Sequence, residues 1–213
     1  ADMRNPRQQL AVLCLGIKAS GKSTRAMAII RYSLEHELYD EWFLFLPAFG
    51  KDIEHSYDWL APFADRVTIF SEYNPAFAEW LLQRPPEDVE KLEKGTMVFL
   101  DDLGCNQDFN ASDKHFFRLV GQQRHERVST IINFHSLASQ RVVAPFLRAN
   151  QTYYLCTKIS NWKIIEGWWR EVCSMSKDCA DFKEFLKKFR EHAYASFDKK
   201  KREMIPNFNG VAI

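Results

Sequence analysis

The chain lacks a long apolar run, an excess of charge of one sign, and a signal-peptide core. No stretch of about 18 consecutive apolar residues occurs, so we expect no membrane-spanning helix. The formal net charge is +1, so any nucleic-acid surface must be a local patch or be assembled by several subunits. The polar start, ADMRNPRQQL, predicts a soluble protein without a secretory leader.

The cysteines also lack any C-x-x-C pair. Five are scattered along the chain, at positions 14, 105, 156, 173 and 179. An odd number at irregular spacing predicts reduced thiols in a cytosol-like compartment rather than a disulfide framework. With 213 residues, 46% hydrophobic and 27% charged, the chain has an ordinary globular composition, sufficient for one α/β domain with a modest extension.

Short apolar runs alternate with helical patterns over most of the chain. Strands are predicted at 10–15, 42–46, 66–70, 96–100, 128–134 and 152–157, and helices at 23–37, 75–94 (broken at Pro85 and Pro86), 112–126 and 138–148. Such alternation predicts right-handed crossovers and a mostly parallel sheet between layers of helices.

The pattern becomes helical after about residue 160. Residues 180–195 place Phe182, Phe185, Leu186 and Phe189 on one face of an amphipathic helix. We therefore predict a core at 1–160 and a helical C-terminal extension with a basic tail at 161–213.

A complete phosphate-binding motif follows the first predicted strand. Residues 16–23 read GIKASGKS and match G-x-x-x-x-G-K-[ST] between a strand and a helix. Glycines let such a loop curl so that consecutive N–H groups point at phosphate oxygens, and the helix adds its positive N-terminal end. The motif predicts ATP binding by Gly16, Lys18, Ala19, Ser20, Gly21, Lys22, Ser23 and Thr24. Lys22 is placed to reach the β and γ phosphates, whereas Lys18 either contacts phosphate or is solvated.

Two carboxylates, Asp101 and Asp102, end the apolar strand predicted at 96–100. In P-loop enzymes the first such aspartate orients the magnesium shell, and the second is placed to polarise the attacking water as general base. On their own they are ordinary strand-end carboxylates, but the upstream motif favours catalysis, with Ser23 and Asp101 as Mg²⁺ ligands. A hydrolytic motor commonly has glutamate in the second position, so the shorter Asp102 needs a water bridge or a small loop shift.

Further candidates flank the strand predicted at 128–134. A polar side chain at its tip can sense the nucleotide state; His135 is the first candidate and Asn133 the second. The alternative for His135 is a histidine that only hydrogen-bonds at a strand end. Arg124, before the strand, is either a solvent-exposed helix charge or an arginine that stabilises transition-state charge on a neighbouring subunit's γ-phosphate.

The order of these segments resembles the FtsK/HerA superfamily of P-loop ATPases. The segments are GIKASGKS, MVFLDDLG and QQRHERVSTIINFHSLASQRVVAPFLRAN, which together cover roughly residues 10–157. The last is most similar to genome-packaging ATPases of large and membrane-containing double-stranded DNA viruses. That group has an R-H pair, an apolar strand, a polar sensor that is usually glutamine, and a helix ending R-x-N. This chain has Arg124 and His125, then His135 in the sensor place, then the residues RAN at 148–150.

The resemblance implies a RecA-like (ASCE) P-loop NTPase, a three-layer sandwich in which Arg124 acts in trans. It also implies a hexameric or pentameric ring that moves double-stranded DNA into a preformed capsid by hydrolysing ATP with Mg²⁺. The expected location is the virion or the host cytoplasm, and a capsid portal vertex or a viral membrane protein is a candidate docking partner.

Length and basic residues refine this expectation. A chain of 213 residues leaves no room for a nuclease domain, so we expect a translocase without nuclease activity. Candidate DNA contacts are Lys51, Lys158 and Lys163, which would grip phosphates without reading sequence. The basic run at 199–202 either docks on DNA or on a portal vertex, or stays solvated.

Two other classes of function remain open. A P-loop phosphotransferase of the nucleotide-kinase kind would also use this loop, although we find no arginine-rich lid in the sequence. A nucleotide-dependent switch or scaffold with slow turnover is the third possibility, and Asp102 argues mildly against it.

Overall fold

The computed structural model describes most of the predicted core and parts of the C-terminal segment. The described residues are 9–16, 21–51, 55–102, 114–134, 146, 150–156, 163, 166–167, 169–170, 181–191, 195–198 and 203–206.

One twisted sheet runs through the described part of the chain. Its strands are β1 (Ala11–Leu15), β2 (Glu41–Phe45), β3 (Val67–Phe70), β4 (Thr96–Leu100), β5 (Val128–Phe134), β6 (Tyr153–Cys156), β7 (Ala195–Asp198) and β8 (Glu203–Pro206). They lie in the order β3-β2-β4-β5-β1-β6-β7-β8, and every pairing from β3 to β6 is parallel. The mostly parallel sheet that the sequence predicts is therefore confirmed.

Helices cover both faces of this sheet. They are α1 (Lys22–Glu35), α2 (Pro75–Leu82), α3 (Pro86–Lys91), α4 (Lys114–Gln122) and α5 (Phe182–Glu191), with short 3-10 helices at Phe49–Lys51 and Asp58–Phe63. The predicted break at Pro85 and Pro86 separates α2 from α3, because a proline within a helix lacks the N–H that the ladder needs.

Alternating side chains of the strands build two separate cores. Val12 and Cys14 point to the face that α1 covers, whereas Leu13 and Leu15 point to the face covered by α2, α4 and α5. Burial on both faces explains why these strands read as continuous apolar runs rather than as an alternating pattern. The result is the three-layer sandwich that was expected.

The strand order decides where the two motifs meet. β5 lies between β1, which leads into the phosphate-binding motif, and β4, which ends at the acidic pair. This insertion is the arrangement expected of a RecA-like sandwich. Parallel strands end at the same edge of a sheet, so both motifs lie at the carboxyl edge, where ligands bind in open α/β sheets.

The C-terminal segment contains more than helix. α5 ends at Glu191 instead of continuing to 195, and its Phe185 is fully buried in the core beneath α2 and α4. Beyond it, β7 and β8 extend the sheet in antiparallel fashion, which the helical prediction missed. β7 pairs with β6, whose edge would otherwise expose unpaired backbone groups, and β8 pairs with β7. This need for a partner strand is not visible in the local sequence pattern.

Two smaller expectations concern thiols and membranes. Cys14 is buried and forms no disulfide. Among the described residues, no helix has the length and apolarity needed to span a lipid bilayer.

Candidate functional site

The first turn of α1 supplies the groups that a phosphate would contact. Gly21 precedes the helix at φ 83°, a left-handed conformation that glycine adopts without strain, and Lys22 begins the helix with only 5% of its surface exposed. The first N–H groups of a helix have no acceptor within the helix, and α1 has neither a side-chain cap nor an acidic residue in its first turn. This helix end is therefore electropositive and suited to an anion.

Strand register aligns the polar residues of the site in one row. Leu100 of β4 lies opposite Ile132 of β5, so that Asp101 follows beside Asn133, and Asn133 in turn lies opposite Cys14 of β1. Cys14 belongs to the core under α1, so this row faces the helix that carries Ser23.

Asp101 is the centre of a hydrogen-bonded group. Its Oδ1 accepts a hydrogen bond of 2.9 Å from Ser23 Oγ and another of 2.7 Å from Asn133 Nδ2. Its backbone N–H donates to the carbonyl oxygen of Phe45 at 3.0 Å. Three elements, α1, β5 and β2, thereby hold one carboxylate in place.

The electrostatics of this carboxylate are those of a buried charge. Burial raises the pKa of Asp101, and the neighbouring Asp102 carboxylate adds to that rise. Hydrogen bonds from Asn133 and Ser23, together with the charge of Lys22, act in the opposite direction. Burial also raises the pKa of the Cys14 thiol, and Asp101 raises it further, so Cys14 stays protonated and unreactive.

The oxygen atoms at this point fit a magnesium ion. Because the Ser23 hydroxyl donates its proton to Asp101, its lone pairs are left for a cation. Mg²⁺ prefers oxygen ligands and is usually held by one or two protein groups together with phosphate oxygens and waters. Among the described residues no cluster of three or more His, Cys, Asp or Glu could hold a metal, so Ser23 and Asp101 would have to be complemented by phosphate.

Asn133 does not have the exposed position at the tip of β5 that a side chain sensing the nucleotide state would need. It is fully buried, and while its Nδ2 donates to Asp101, its Oδ1 has no hydrogen-bond partner. The sequence ranked it only second among sensor candidates. Its contact with Asp101 depends on the insertion of β5 beside β4, which no local pattern reveals.

Asp102 lies at the turn directly after β4. Its backbone has φ 51°, in the left-handed region that aspartate tolerates better than most residues, and it is half-buried. Its charge acts on Asp101. The structure thus brings Lys22, Ser23, Asp101 and Asp102 together at one edge of the sheet.

Arg124 lies elsewhere. It is exposed in the turn between α4 and β5, at the amino end of β5, whereas Asp101 is at the carboxyl edge. The seven residues of β5 span about 20 Å, so Arg124 is too far away to reach the site of its own chain. It either acts on another subunit or is a solvated charge.

Several predicted residues lie outside the described part of the chain. They are Lys18, Ala19 and Ser20 of the phosphate-binding motif, His135 of the sensor position, Lys158 and the basic run at 199–202. Gly16 and Thr24 are described: Gly16 directly follows β1, and Thr24 lies in the first turn of α1.

Comparison with known proteins identifies relatives in structure but not in sequence. No protein-family model and no curated protein matches the chain. Among solved structures, the genome packaging NTPase B204 of Sulfolobus turreted icosahedral virus 2 with AMP has a TM-score of 0.64 at 16% identity, over 95% of this chain and 97% of its own. The DNA-packaging ATPase B204 of Sulfolobus turreted icosahedral virus has 0.60 at 12%, over 91% and 94%.

A conjugation protein shares a smaller part of the fold. The pCW3 conjugation coupling protein TcpA, in its monomer form with ATPγS, has a TM-score of 0.54 at 14% identity and covers 75% of this chain but 52% of its own. The predicted resemblance to viral packaging ATPases is thus confirmed at the level of the fold. The chain has the P-loop NTPase fold, and the likeness to B204 extends over nearly the whole length of both chains.

Replacing Asp101 with asparagine tests the burial of this charge in metal-free protein. Because the folded-state pKa of Asp101 is raised above its usual value of 3.8, its stabilising contribution is present below that value and is lost as pH rises through the folded pKa. Asp101→Asn keeps an acceptor for Ser23 and Asn133, so we expect a higher melting temperature than wild type at pH 7 in EDTA. The difference should shrink as the pH is lowered toward 4.

The matched control is Asp65→Asn, which removes an exposed carboxylate on the same chain. It should leave the melting temperature nearly unchanged at both pH values, because an exposed charge has no desolvation cost to relieve. An Asp101→Asn variant that is less stable than wild type at pH 7 in EDTA would contradict the description of Asp101 as a buried, costly charge.

Proposed function

We propose that this chain is an ATP-hydrolysing motor that packages double-stranded DNA into a preformed capsid, acting as an oligomeric ring without nuclease activity. The observation that carries the proposal is the hydrogen-bonded group of Ser23, Asp101 and Asn133 beneath the first turn of α1. It joins a phosphate-binding helix end to a metal-binding carboxylate, which is the pair of functions that phosphoryl transfer from ATP requires.

Binding of the triphosphate would rest on α1 and its loop. The N–H groups of the first turn would donate to phosphate oxygens, and the buried Lys22 would add a positive charge close to Asp101. Lys22 lies where its charge acts on Asp101, so it would span the distance between the phosphates and the metal site.

Hydrolysis would then depend on how the side chains of the site are positioned, rather than on a covalent intermediate with the protein. A Mg²⁺ ion bound with the nucleotide would supply charge neutralisation for the transition state. Ser23 and Asp101 would hold that ion, while Asp102 would accept a proton from the attacking water as general base. Asn133 holds the Asp101 carboxylate in one orientation, and its Oδ1, which has no partner, is an acceptor for an ordered water.

The position of Arg124 supports the proposal of a ring. An arginine that stabilises the charge of the γ-phosphate is a recurring part of such sites, and in many of them a second subunit supplies it. Arg124 is exposed and lies across the sheet from its own Asp101, so only a neighbouring copy could use it. Neighbouring copies would each complete the site of the next, which is a head-to-tail arrangement that closes into a ring.

Packaging, rather than phosphotransfer, is supported by the comparisons. B204, named as a genome packaging NTPase and solved with AMP, AMPPCP and ATPγS, matches this chain over nearly all of both lengths. A nucleotide kinase would need a lid and a second substrate site, and nothing in the described part of the chain favours these. DNA would be held by lysines such as Lys163, which is exposed, and Lys51, at the end of a 3-10 helix.

ATP turnover should respond to duplex DNA. We expect a steady-state ATPase rate that rises several-fold when linear duplex DNA is added at low salt and that loses the stimulation at high salt, because the contacts are to phosphates. Lys22→Ala should abolish both the basal and the stimulated rates. A rate indifferent to DNA, together with transfer of the γ-phosphate to a nucleoside monophosphate, would replace the motor by the phosphotransferase.

Arg124 should act between subunits. Arg124→Ala and Lys22→Ala are each expected to lower ATPase activity by at least about a hundredfold, in keeping with the effect of a trans arginine. A mixture of the two inactive proteins should recover part of the activity, because an Arg124→Ala site can receive the arginine of a Lys22→Ala neighbour.

Arg118→Ala is the matched control for this experiment, since Arg118 is an exposed arginine on α4 whose bond to Gln122 stays within the helix. It should keep wild-type activity. Intact oligomers in native mass spectra without any recovery in the mixture would leave Arg124 as an ordinary surface charge.

A further inference from the structure

A pocket of about 390 Å³ opens beside the phosphate-binding end of α1. Ser23 and Thr24, in the first turn of the helix, line one end of it, so it is continuous with the place where the triphosphate would lie. Its volume falls within the range of small-molecule sites. None of the roles assigned above uses this space.

One wall of the pocket is a single face of α1. Thr24, Met27, Ala28 and Arg31 line it at spacings of three and four residues, which places them above one another along the helix. From Thr24 to Arg31 the helix rises about 10 Å. Apart from its two ends, this wall is apolar and is made of the thioether of Met27 and the methyl group of Ala28.

Aromatic side chains form the opposite wall. Tyr57 and Trp59, from the segment that follows β2, are both partly buried and packed against the core under α1. The Arg31 guanidinium lies 5.9 Å from the centre of the Trp59 ring and is held by a 2.7 Å bond to Glu35. Two aromatic rings, with a fixed guanidinium over one of them, suit a planar ring that carries hydrogen-bond acceptors.

We propose that this pocket binds the base and ribose of the nucleotide, with the base against Trp59 and Tyr57 and the sugar near Thr24. The proposal rests on the proposed function, because it requires phosphates at the end of α1. From there a nucleoside has to extend along some surface, and the described part of the chain offers this groove, with aromatic side chains along the wall opposite α1. Arg31 donates hydrogen bonds to acceptors on the edge of the base.

Direct binding measurements separate the base site from the phosphate site. We would titrate wild type with Mg²⁺ and either the non-hydrolysable analogue AMPPNP or inorganic tripolyphosphate, using calorimetry. Wild type should bind AMPPNP more tightly than tripolyphosphate. Trp59→Ala should lower the affinity for AMPPNP about tenfold, as loss of one base–aromatic stack does, and leave the affinity for tripolyphosphate unchanged.

Two further variants make the comparison secure. Trp80→Ala is the matched control, because Trp80 is half-exposed and packs against Phe43 and Phe77 on the opposite layer; it should change neither affinity. Ala28→Phe fills the pocket without removing a core side chain. It should weaken AMPPNP binding at least as much as Trp59→Ala, again with tripolyphosphate spared.

The outcomes distinguish a failure of the base site from a failure of the proposed ATPase function. A wild-type chain that binds neither probe would refute ATP binding altogether, and the base site with it. Equal wild-type affinities for the two probes, or a Trp59→Ala affinity for AMPPNP equal to wild type, would overturn the base site alone. So would a Trp59→Ala variant that keeps its AMPPNP affinity but no longer assembles, because the pocket would then hold a side chain of a neighbouring subunit.

Discussion

The hydrogen bond between Ser23 and Asp101 joins two parts of the chain that are distant in sequence and separated in the sheet by β5. The metal-binding roles proposed for Ser23 and Asp101 both require this contact. Ser23 is a metal ligand only if its proton is directed elsewhere, and Asp101 can orient a metal shell only if its carboxylate has a fixed direction. Asn133, on the strand between the motifs, supplies a second donor to the same oxygen and so restricts the carboxylate further.

Holding a carboxylate in this place has a thermodynamic cost. A buried charge is unfavourable unless it is hydrogen-bonded or paired, and burial is the largest influence on the pKa of Asp101. Lys22 and the two donors offset only part of that cost, and a divalent cation would offset more. Such an arrangement is typical of functional sites, where a group is kept for its chemistry at the expense of stability.

The sequence predicted the parallel strands and the start of α1 well because both depend on local information. An apolar run as short as that of β1, followed by GIKASGKS, suffices to place the first turn of α1 at the carboxyl end of a strand. The order of the strands does not follow from such runs, so the row formed by Cys14, Asn133 and Asp101 could not be foreseen. Asn133 was accordingly ranked behind His135.

The C-terminal segment and the pocket illustrate the same limit. β7 forms because the edge of β6 is available to it, and the residues 195–198 alone have no strong strand pattern. Arg31 and Trp59 stand 28 positions apart in the sequence, and only the fold brings the guanidinium over the ring. Arg124 could be named as a candidate from its motif, but its place at the amino end of β5, far from the Asp101 of its own chain, required the topology.

The central claim is that the end of α1 and the end of β4 bind one metal–nucleotide complex. A crystal structure of the chain with Mn²⁺ and AMPPCP, with the metal located by its anomalous signal, tests it most directly. We predict a single manganese peak coordinated by Ser23 Oγ and phosphate oxygens, with Asp101 bound to the ion or to one of its waters. A triphosphate bound away from residues 21–24, or a metal out of contact with both Ser23 and Asp101, would contradict the account.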